Sequence, residues 1–418
     1  MRFETLQGWL DWQQGLHPKN IELGLERVQQ VYRRFQTGRI AGKVITVAGT
    51  NGKGSTVAYY ETWLKHAGYK VASYTSPHLL LYNERIKLDL ATVSDQSLCQ
   101  AFSVVDEARG DISLTYFEFG TLAALYLISQ FQPDVAILEV GLGGRLDAVN
   151  IIDADLAHLT PIGLDHQDWL GHTVDLIGRE KAGILRPQGM AVCNCPEPPA
   201  SVVEQLQRLH CDYLMFGRDY QYQRVSHNIV CWSSKKRQLN ISVPLTGEHQ
   251  ALNLSGVVAG LEQLGFLEGK DDVALSAGFA AVKCDGRFQK VESAYPFQLY
   301  LDVGHNQDAA RVLSQTLRDL KPAGRVYLLL GMLDDKNPLT FTAELASVVD
   351  EWWLLGLDGD RGMSASRLAQ KIDGLAGVTH QFDSAANALR DAVSILKNQD
   401  ILLVTGSFRT VEAVASIL

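Results

Sequence analysis

The stretch Val44-Ile45-Thr46-Val47-Ala48-Gly49-Thr50-Asn51-Gly52-Lys53-Gly54-Ser55-Thr56 decides the fold of this 418-residue chain. Its first five residues are apolar or β-branched and predict a short buried strand, and the apolar pattern at 57–67 predicts a helix. A glycine-rich turn between a strand and a helix N-terminus can hold phosphate, because its backbone N–H groups and the helix dipole face the anion. Lys53 can reach the β- and γ-phosphates of a nucleotide, and Ser55 or Thr56 can meet a Mg²⁺.

The loop departs from the common phosphate-binding pattern GxxxxGK[ST]. That pattern would place a glycine at Val47, and here Gly54 follows the lysine directly. The alternative is therefore a glycine-rich turn that carries only a solvated lysine. Three glycines, one lysine and two hydroxyls between a strand and a helix favour the nucleotide site.

Composition and charge favour a globular protein over a nucleic-acid-binding or membrane-spanning one. Charged residues are 20% and hydrophobic residues 46% of the chain, as in globular proteins with a sizeable core. The net charge of −9 argues against nucleic acid as a main partner. The N-terminus has no signal-peptide pattern, and no run of about 18 apolar residues predicts a membrane span. The six scattered cysteines fit reduced thiols, so we expect a cytoplasmic monomer.

Polar residues follow three further predicted strands. Ser76 lies in a Ser-Pro-His turn just after one strand, Glu139 ends a second, and His166 follows a third. If these strands are parallel, all three residues lie at one edge of the sheet, where α/β folds build their sites. A buried carboxylate is costly unless it is paired or binds a metal, and beside a nucleotide site it suits Mg²⁺. Each residue alone is also compatible with a structural role.

The pattern of strands and helices starts again in the last third of the chain. Strands are predicted at 299–303, 326–331, 352–357 and 401–406, with helical stretches between them. This predicts an α/β protein in which a P-loop-containing domain precedes a smaller, doubly wound, Rossmann-like domain. We place the first domain at 1–284, a hinge at 285–297 and the second domain at 298–418.

Ten ordered motifs resemble the folate branch of the Mur ligase superfamily of ATP-dependent amide ligases. The resemblance covers essentially the whole chain, and a chance match of so many ordered motifs is very improbable. The motifs are GLERV (24–28), AGTNGKGS (48–55), TSPHL (75–79), SLTYFEFGTLAAL (113–125), LEVGLGGRLDAVN (138–150), LDHQDWLG (164–171), GREKAGI (178–184), GRF (286–288), DVGHN (302–306) and TGSF (405–408).

The resemblance implies that ATP phosphorylates a substrate carboxylate and that the amine of L-glutamate then attacks the acyl phosphate. The implied acceptors are dihydropteroate, which becomes dihydrofolate, and reduced folates, which gain γ-linked glutamates. The first domain would bind ATP and the pterin, and the second would bind glutamate. The implied cofactors are ATP, one or two Mg²⁺, a carbamylated Lys181 and K⁺.

The resemblance also assigns site residues, motif by motif. Nucleotide binding falls to Asn51, Gly52, Lys53, Gly54, Ser55, Asn253 at the adenine, Arg287 at the γ-phosphate and Asp302 at the ribose. Metal binding falls to Ser76, Glu139, His166 and the carbamylated Lys181, and catalysis to Lys53, Lys181 and His305. Substrate binding falls to Glu22, Leu23, Gly24, Leu25, Thr115, Tyr116, Phe117, Glu118, Leu146, Asp147, Ala148, His305 and Asn306. Asp147 would hydrogen-bond the pterin ring, and His305 and Asn306 would handle the incoming glutamate.

Three alternatives stay open at this point. An enzyme that only extends reduced folates with glutamate would share these motifs. A cell-wall Mur ligase is disfavoured, because the phosphate loop begins only about 45 residues into the chain. A nucleotide-dependent switch would use the same loop without needing His305 and Asn306, and it would hydrolyse ATP without acceptor or glutamate.

Overall fold

The computed structural model describes residues 2–35, 38–226, 228–359, 361–372, 374 and 377–418. The chain divides into two compact units. Unit 1 comprises Met1–Pro244 and Ala251–Val282, and unit 2 comprises Leu245–Gln250 and Lys283–Leu418.

The described part of the chain alternates strands and helices along most of its length. The helices are α1 Leu6–Gln14, α2 Glu26–Phe35, α3 Lys53–His66, α4 Asp95–Arg109, α5 Tyr116–Phe131, α6 Gln167–Leu170, α7 Val174–Lys181, α8 Ala200–Arg208, α9 Glu248–Gln263, α10 Asp272–Phe279, α11 Gln307–Leu320, α12 Pro338–Leu345, α13 Ala365–Lys371, α14 Ala385–Ile395 and α15 Phe408–Ala415. The strands are β1 Lys43–Ala48, β2 Val71–Tyr74, β3 Ile86–Leu88, β4 Ala91–Thr92, β5 Val135–Glu139, β6 Leu156–Leu159, β7 Met190–Cys193, β8 Asp212–Met215, β9 Tyr220–Ser226, β10 Ile229–Ser234, β11 Gln238–Ser242, β12 Gln289–Val291, β13 Gln298–Leu301, β14 Val326–Leu330, β15 Glu351–Leu355, β16 Val378–Phe382 and β17 Ile401–Thr405.

The main sheet of unit 1 has the order β4-β3-β2-β5-β1-β6-β7-β8 in the described residues. Strands β2, β5, β1, β6, β7 and β8 pair in parallel, and β3 and β4 are antiparallel at one edge. β1 lies centrally, with Val47 opposite both Glu139 and His158. A smaller antiparallel sheet, β11-β10-β9, completes the strands of this unit. The parallel α/β sheet predicted from the sequence is thus present.

Two glycines shape the turn from β1 to α3. Gly52 precedes α3 with φ +89°, in the left-handed region that glycine adopts without strain. Gly49 lies so close to Thr160, at the end of β6, that a Cβ would overlap its side chain. The turn therefore requires glycine at both positions for backbone geometry and close packing.

The start of the second helix differs from the sequence interpretation. The sequence Ile21-Glu22-Leu23-Gly24-Leu25 predicts the start of a helix, but α2 begins at Glu26 and residues 15–25 form neither helix nor strand. The polar side chains in this segment explain the difference, because Glu22 forms ion pairs with Lys19 and Arg27 rather than extending the helix.

The sheet of unit 2 has the order β12-β13-β17-β14-β15-β16 in the part that the structure describes. All of its pairs are parallel except β12 with β13. β12 lies within the expected hinge region at 285–297. The unit has a hydrophobic core of its own, which includes Leu328, Phe341, Trp352 and Leu403. This is the smaller doubly wound domain predicted from the sequence.

No helix among the described residues is long and apolar enough to span a membrane.

Candidate active site

The carboxyl ends of four neighbouring parallel strands define the candidate site in unit 1. β2, β5, β1 and β6 are adjacent in the sheet and run in one direction. Ser76 follows β2, Glu139 ends β5, the phosphate loop follows β1, and His166 follows β6. The structure therefore brings the predicted phosphate loop and metal residues to one edge of the sheet.

The phosphate loop is held in a compact turn. The Nζ of Lys53 donates hydrogen bonds to the carbonyl oxygens of Gly49 at 3.2 Å and Thr50 at 3.3 Å. The Thr50 hydroxyl in turn contacts the backbone of Gly163. Ser55 is buried in the first turn of α3. In these contacts the lysine folds back over the loop, where it can meet a phosphate held by the loop amides.

Asn253 packs directly on the loop. This residue of α9 is 2% exposed, and a Cβ at Gly52 would lie 2.5 Å from its Oδ1 atom. The predicted adenine contact thus adjoins Gly52, immediately before Lys53. The remaining loop residues of the predicted set, Asn51 and Gly54, lie on either side of this point.

A second lysine reaches the same carbonyl group. The Nζ of Lys181, at the end of α7, donates to the oxygen of Gly49 at 2.8 Å, and the side chain is buried. Burial and the neighbouring charge of Lys53 lower the pKa of Lys181 to about 7, against a partial opposing effect of Asp165 and Asp147. Two ammonium groups therefore converge on one backbone oxygen beside the phosphate loop.

Asp147 is buried on the loop that follows β5. Its Oδ2 accepts a hydrogen bond from the N–H of Leu142 and its Oδ1 accepts one from Val149, both at 2.9 Å. Burial raises the pKa of Asp147 to about 6, although the backbone donors and Lys53 favour the ionised form. Asp147 therefore organises its own loop, a role that the sequence interpretation had not assigned. Its neighbours Leu146 and Ala148 lie in this loop, the latter buried.

The predicted metal residues offer a hydroxyl, a carboxylate and an imidazole. Glu139 is 4% exposed, and its Oε2 lies 3.3 Å from the backbone nitrogen of Ser76. His166 adopts φ +50° just before α6, and its backbone N–H donates to Asp165 Oδ1 at 2.8 Å. The described residues contain no group of three His, Cys, Asp or Glu side chains arranged for a metal. The carboxylate and hydroxyl oxygens nevertheless suit a hard divalent cation when phosphate oxygens complete the set, whereas the imidazole is a softer ligand.

The predicted acceptor segments meet around α5. Thr115 caps this helix, forming a reciprocal capping box with Glu118. The ring of Phe117 packs where a Cβ at Gly141 would lie, next to the Ser76 hydroxyl. The structure thereby links the segment at 115–118, which includes Tyr116, to the loop that leads to Asp147. Residues 22–25, the other predicted acceptor segment, are partly exposed.

The remaining predicted residues belong to unit 2. Buried Asp302 follows β13, and its oxygens accept from the N–H groups of Phe288 at 2.8 Å and Gly304 at 2.7 Å. Burial raises the pKa of Asp302, against the opposing charge of Arg287. His305 Nδ1 lies 2.9 Å from the carbonyl oxygen of Val303 in the same loop, and Asn306 caps α11. These residues again follow the carboxyl end of a parallel strand.

Sequence reasoning missed two participants. Asp165 lies in the quoted LDHQDWLG motif, but only the structure shows that its charge acts on Lys181. Arg27 lies in GLERV, and it forms ion pairs with both Glu22 and Glu118. Their position inside motifs was the available signal, but the partners are distant in sequence.

Two family models match the chain. The model described as "Mur ligase middle domain" matches residues 47–261, and that described as "Mur ligase, glutamate ligase domain" matches residues 286–408.

Curated proteins resemble almost the full chain. It is 41% identical over 413 residues to the dihydrofolate synthase/folylpolyglutamate synthase of Escherichia coli, covering 99% of this chain and 95% of that protein. It is 37% identical to the protein of the same name from Haemophilus influenzae, covering 97% and 96%.

Solved structures give the same picture. The E. coli FolC structure in complex with DHPP and ADP matches with a TM-score of 0.92 and 41% identity, covering 99% of this chain and 97% of that one. A bifunctional folylpolyglutamate synthase/dihydrofolate synthase with Mn, AMPPNP and L-glutamate bound matches with a TM-score of 0.90 and 40% identity, covering 99% and 98%.

Proposed function

The chain belongs to the dihydrofolate synthase/folylpolyglutamate synthase family of Mur ligases, and from this premise we propose how its residues perform the reaction. It is an ATP-dependent amide ligase that joins L-glutamate to 7,8-dihydropteroate, giving dihydrofolate, and adds further γ-linked glutamates to reduced folates. The reaction proceeds through an acyl phosphate on the acceptor carboxylate.

One observation carries the proposal: Lys53 and Lys181 both donate to the carbonyl oxygen of Gly49. Two anions, ATP and a carboxylate, must approach each other for phosphoryl transfer, and a net charge of −9 opposes both. The positive charge of Lys53 at the N-terminus of α3 offsets this repulsion locally and stabilises charge that develops during transfer, whereas Lys181 serves the site as a carbamate. A nucleotide-dependent switch would not need a second buried lysine here.

The phosphate loop and Asn253 hold the nucleotide in unit 1. The amides at Asn51, Gly52, Gly54 and Ser55 bind phosphate oxygens, with Lys53 at the β- and γ-phosphates. Asn253 contacts the adenine, which its packing against Gly52 supports. The resemblance to the family assigns Arg287 to the γ-phosphate and Asp302 to the ribose.

A divalent cation, Mg²⁺ in the cell, is bound by Ser76, Glu139 and His166. When bound, it neutralises phosphate charge during transfer. The relative's complex with Mn and AMPPNP supports a divalent ion in such a site. The burial of Glu139 and the oxygen ligands that its carboxylate and the Ser76 hydroxyl offer fit a hard cation.

Lys181 is carbamylated in the active enzyme. Its Nζ is buried beside another cation, where a positive charge is unfavourable. Addition of CO₂ to the neutral amine forms an N–C bond, releases one proton and replaces the cation with an anion. That anion attracts Lys53 and can bind a second metal ion.

The acceptor binds to the segments at 22–25, 115–118 and 146–148. Phe117 lies beside Ser76 and so connects the ring-binding surface to the metal residues. His305 and Asn306 bind the incoming glutamate in unit 2, and His305 assists the attack of its amine.

The experiment combines product analysis with a matched pair of variants. Wild-type protein is incubated with ATP, L-glutamate and either dihydropteroate or a reduced folate, and products are identified by mass spectrometry. Lys53→Ala should abolish ligation, whereas Lys65→Ala, at the other end of α3 in an exposed pair with Asp89, should not. ATP hydrolysis without acceptor or glutamate would instead indicate a switch, and product from the reduced folate alone would indicate a synthase with only the second activity.

Several expectations extend this proposal. We place the enzyme in the cytoplasm as a monomer, with K⁺ as a further cation, small molecules as its substrates, and neither nucleic acid nor membrane as a partner. Light scattering coupled to size-exclusion chromatography measures the oligomeric state, and replacing K⁺ with Na⁺ in the ligation assay tests the need for K⁺.

A further inference from the structure

The connection between α1 and α2 depends on side-chain contacts. Residues 15–25 form no helix or strand in the structure as described. The Nε2 of His17 lies 2.8 Å from Glu22 Oε2, its Nδ1 lies 2.9 Å from Ser113 Oγ, and Lys19 donates to Glu22 Oε1 at 3.0 Å. The hydrogen bond from Lys19, together with the charge of Arg27 and the contact with His17, lowers the pKa of Glu22 to about 2. Glu22 is therefore ionised, and it contacts both His17 and Lys19 within this connection.

Arg27, in the first turns of α2, extends these contacts to a second element. Its Nη1 donates to Glu22 Oε2 at 2.5 Å, and its Nη2 donates to the backbone oxygen of Glu22 at 3.2 Å. The same Nη2 donates to Glu118 Oε1 at 2.9 Å. Glu118 Oε2 accepts from the N–H of Thr115, which caps α5. One guanidinium thus joins the segments at 22–25 and 115–118.

A contribution to folding stability does not by itself explain the ion pair of Arg27 with Glu118. Glu118 is almost fully buried, and buried ion pairs often contribute no more stability than apolar side chains of the same volume. The Nε of Arg27 is also buried, and it has no hydrogen-bond partner among the described residues. An unpartnered buried donor costs free energy. Arg27 instead supplies a guanidinium of fixed, planar geometry, which a more flexible or an apolar side chain lacks.

We propose that Arg27 is a positioning residue for the acceptor: by joining Glu22 to Glu118 it holds the connection at 15–25 against the start of α5. This rests on the proposed function, because that function assigns residues 22–25 and 115–118 to the acceptor. Arg27 acts through these segments and touches no reacting atom. Its loss should therefore weaken acceptor binding while leaving the nucleotide and the chemical step nearly unchanged.

The test compares Arg27→Gln and Arg27→Lys with Arg34→Gln. Arg34 lies on the same helix, and among the described residues it donates to the carbonyl oxygens of Ala108 and Arg109, outside the acceptor segments. Steady-state kinetics give KM for dihydropteroate, KM for ATP and kcat. We expect Arg27→Gln to raise the dihydropteroate KM about tenfold, which corresponds to about 1.4 kcal/mol, with kcat and the ATP KM within about twofold of wild type. The dihydropteroate KM of Arg27→Lys should lie between those of wild type and Arg27→Gln, and Arg34→Gln should match wild type. An unchanged dihydropteroate KM in Arg27→Gln, or an equal rise in Arg34→Gln, would overturn the proposal.

Hydrogen exchange on the acceptor-free proteins separates this proposal from the proposed function. Arg27→Gln should speed exchange of the backbone amides within 15–25 and leave the phosphate loop unchanged. If wild type makes no dihydrofolate, the proposed function fails, whereas the exchange result still decides whether Arg27 holds this connection. If Arg27→Gln does not fold, Arg27→Lys gives the same readouts, and wild-type exchange together with wild-type KM in that variant would overturn the proposal.

Discussion

Replacing Gly52 with alanine should damage the nucleotide site more than the fold, and Gly68 provides a matched control. The two glycines lie at opposite ends of α3, with φ +89° and +95°. An alanine at either position enters the left-handed region, which costs about 1–2 kcal/mol. A Cβ at Gly68 meets nothing within 4 Å, whereas one at Gly52 lies 2.5 Å from Asn253 Oδ1 and 3.2 Å from its Cγ.

The additional contact sets the difference between the two variants. Asn253 is 2% exposed, so its side chain must leave its rotamer by an amount that costs about 0.5–1.5 kcal/mol. Gly52→Ala should therefore lose about 1.5–3.5 kcal/mol of folding free energy and Gly68→Ala about 1–2 kcal/mol. At about 2–4 °C per kcal/mol, thermal unfolding without nucleotide can resolve the difference.

Calorimetric titration with AMPPNP then tests the link to function without turnover. We expect Gly52→Ala to bind AMPPNP at least about tenfold more weakly, because both the loop amides and Asn253 are displaced, and Gly68→Ala to bind like wild type. The double variant Gly52→Ala/Asn253→Ala should recover the extra stability but not the binding. If Gly52→Ala and Gly68→Ala lose the same stability and both bind AMPPNP normally, the contact between Gly52 and Asn253 does not shape the nucleotide site.

Three further predictions address the acceptor, Lys181 and the core. Asp147→Ala should reduce dihydrofolate synthesis roughly tenfold and glutamate addition to a reduced folate less; steady-state kinetics showing equal falls would mean that both acceptors share one pterin pose. Lys181→Ala should lose most ligation while Lys181→Glu keeps some, and intact-mass measurement of active, bicarbonate-supplied wild type finding an unmodified Lys181 would contradict carbamylation. Burial lowers the pKa of His158 from 6.5 to about 3, so only the unfolded chain binds its proton as the pH falls. Stability is thus full above about pH 6.5 and declines below it by up to about 1.4 kcal/mol per pH unit; thermal unfolding from pH 7 to 4 should show a shallower decline in His158→Gln, and an identical decline would refute this assignment.

The sequence was sufficient for features that depend on local pattern. The β-branched run before Gly49 predicted β1, and polar residues after other apolar runs predicted where Ser76, Glu139 and His166 would emerge. Parallel strands then place those residues at a common edge, a consequence of topology that needs no contact information. The structure confirmed this arrangement, together with the smaller doubly wound unit.

Contacts between distant segments could not be predicted in the same way. Nothing in the local sequence indicates that Arg27 pairs with Glu118, 91 residues away. Asp147 was expected to face the pterin ring, and its hydrogen bonds to Leu142 and Val149 emerge only once the loop is folded. The helix start predicted at 21–25 was wrong by a few residues, because Glu22 forms ion pairs with Lys19 and Arg27 outside the helix and these outweigh helix propensity.

Lys53 and Lys181 are neighbours whose like charges make the folded site electrostatically unfavourable. Two cations that share the oxygen of Gly49 repel each other, and burial of Lys181 increases the cost. Neutral or acidic side chains at these positions would fold more favourably, so the arrangement suits a site that meets anions. A phosphate at the loop and a carbamate on Lys181 would each convert repulsion into attraction. Ligand binding should then stabilise unit 1, and increasingly so as the ligand concentration rises above the dissociation constant, which links the repulsion between the two lysines to the chemistry of two anionic substrates.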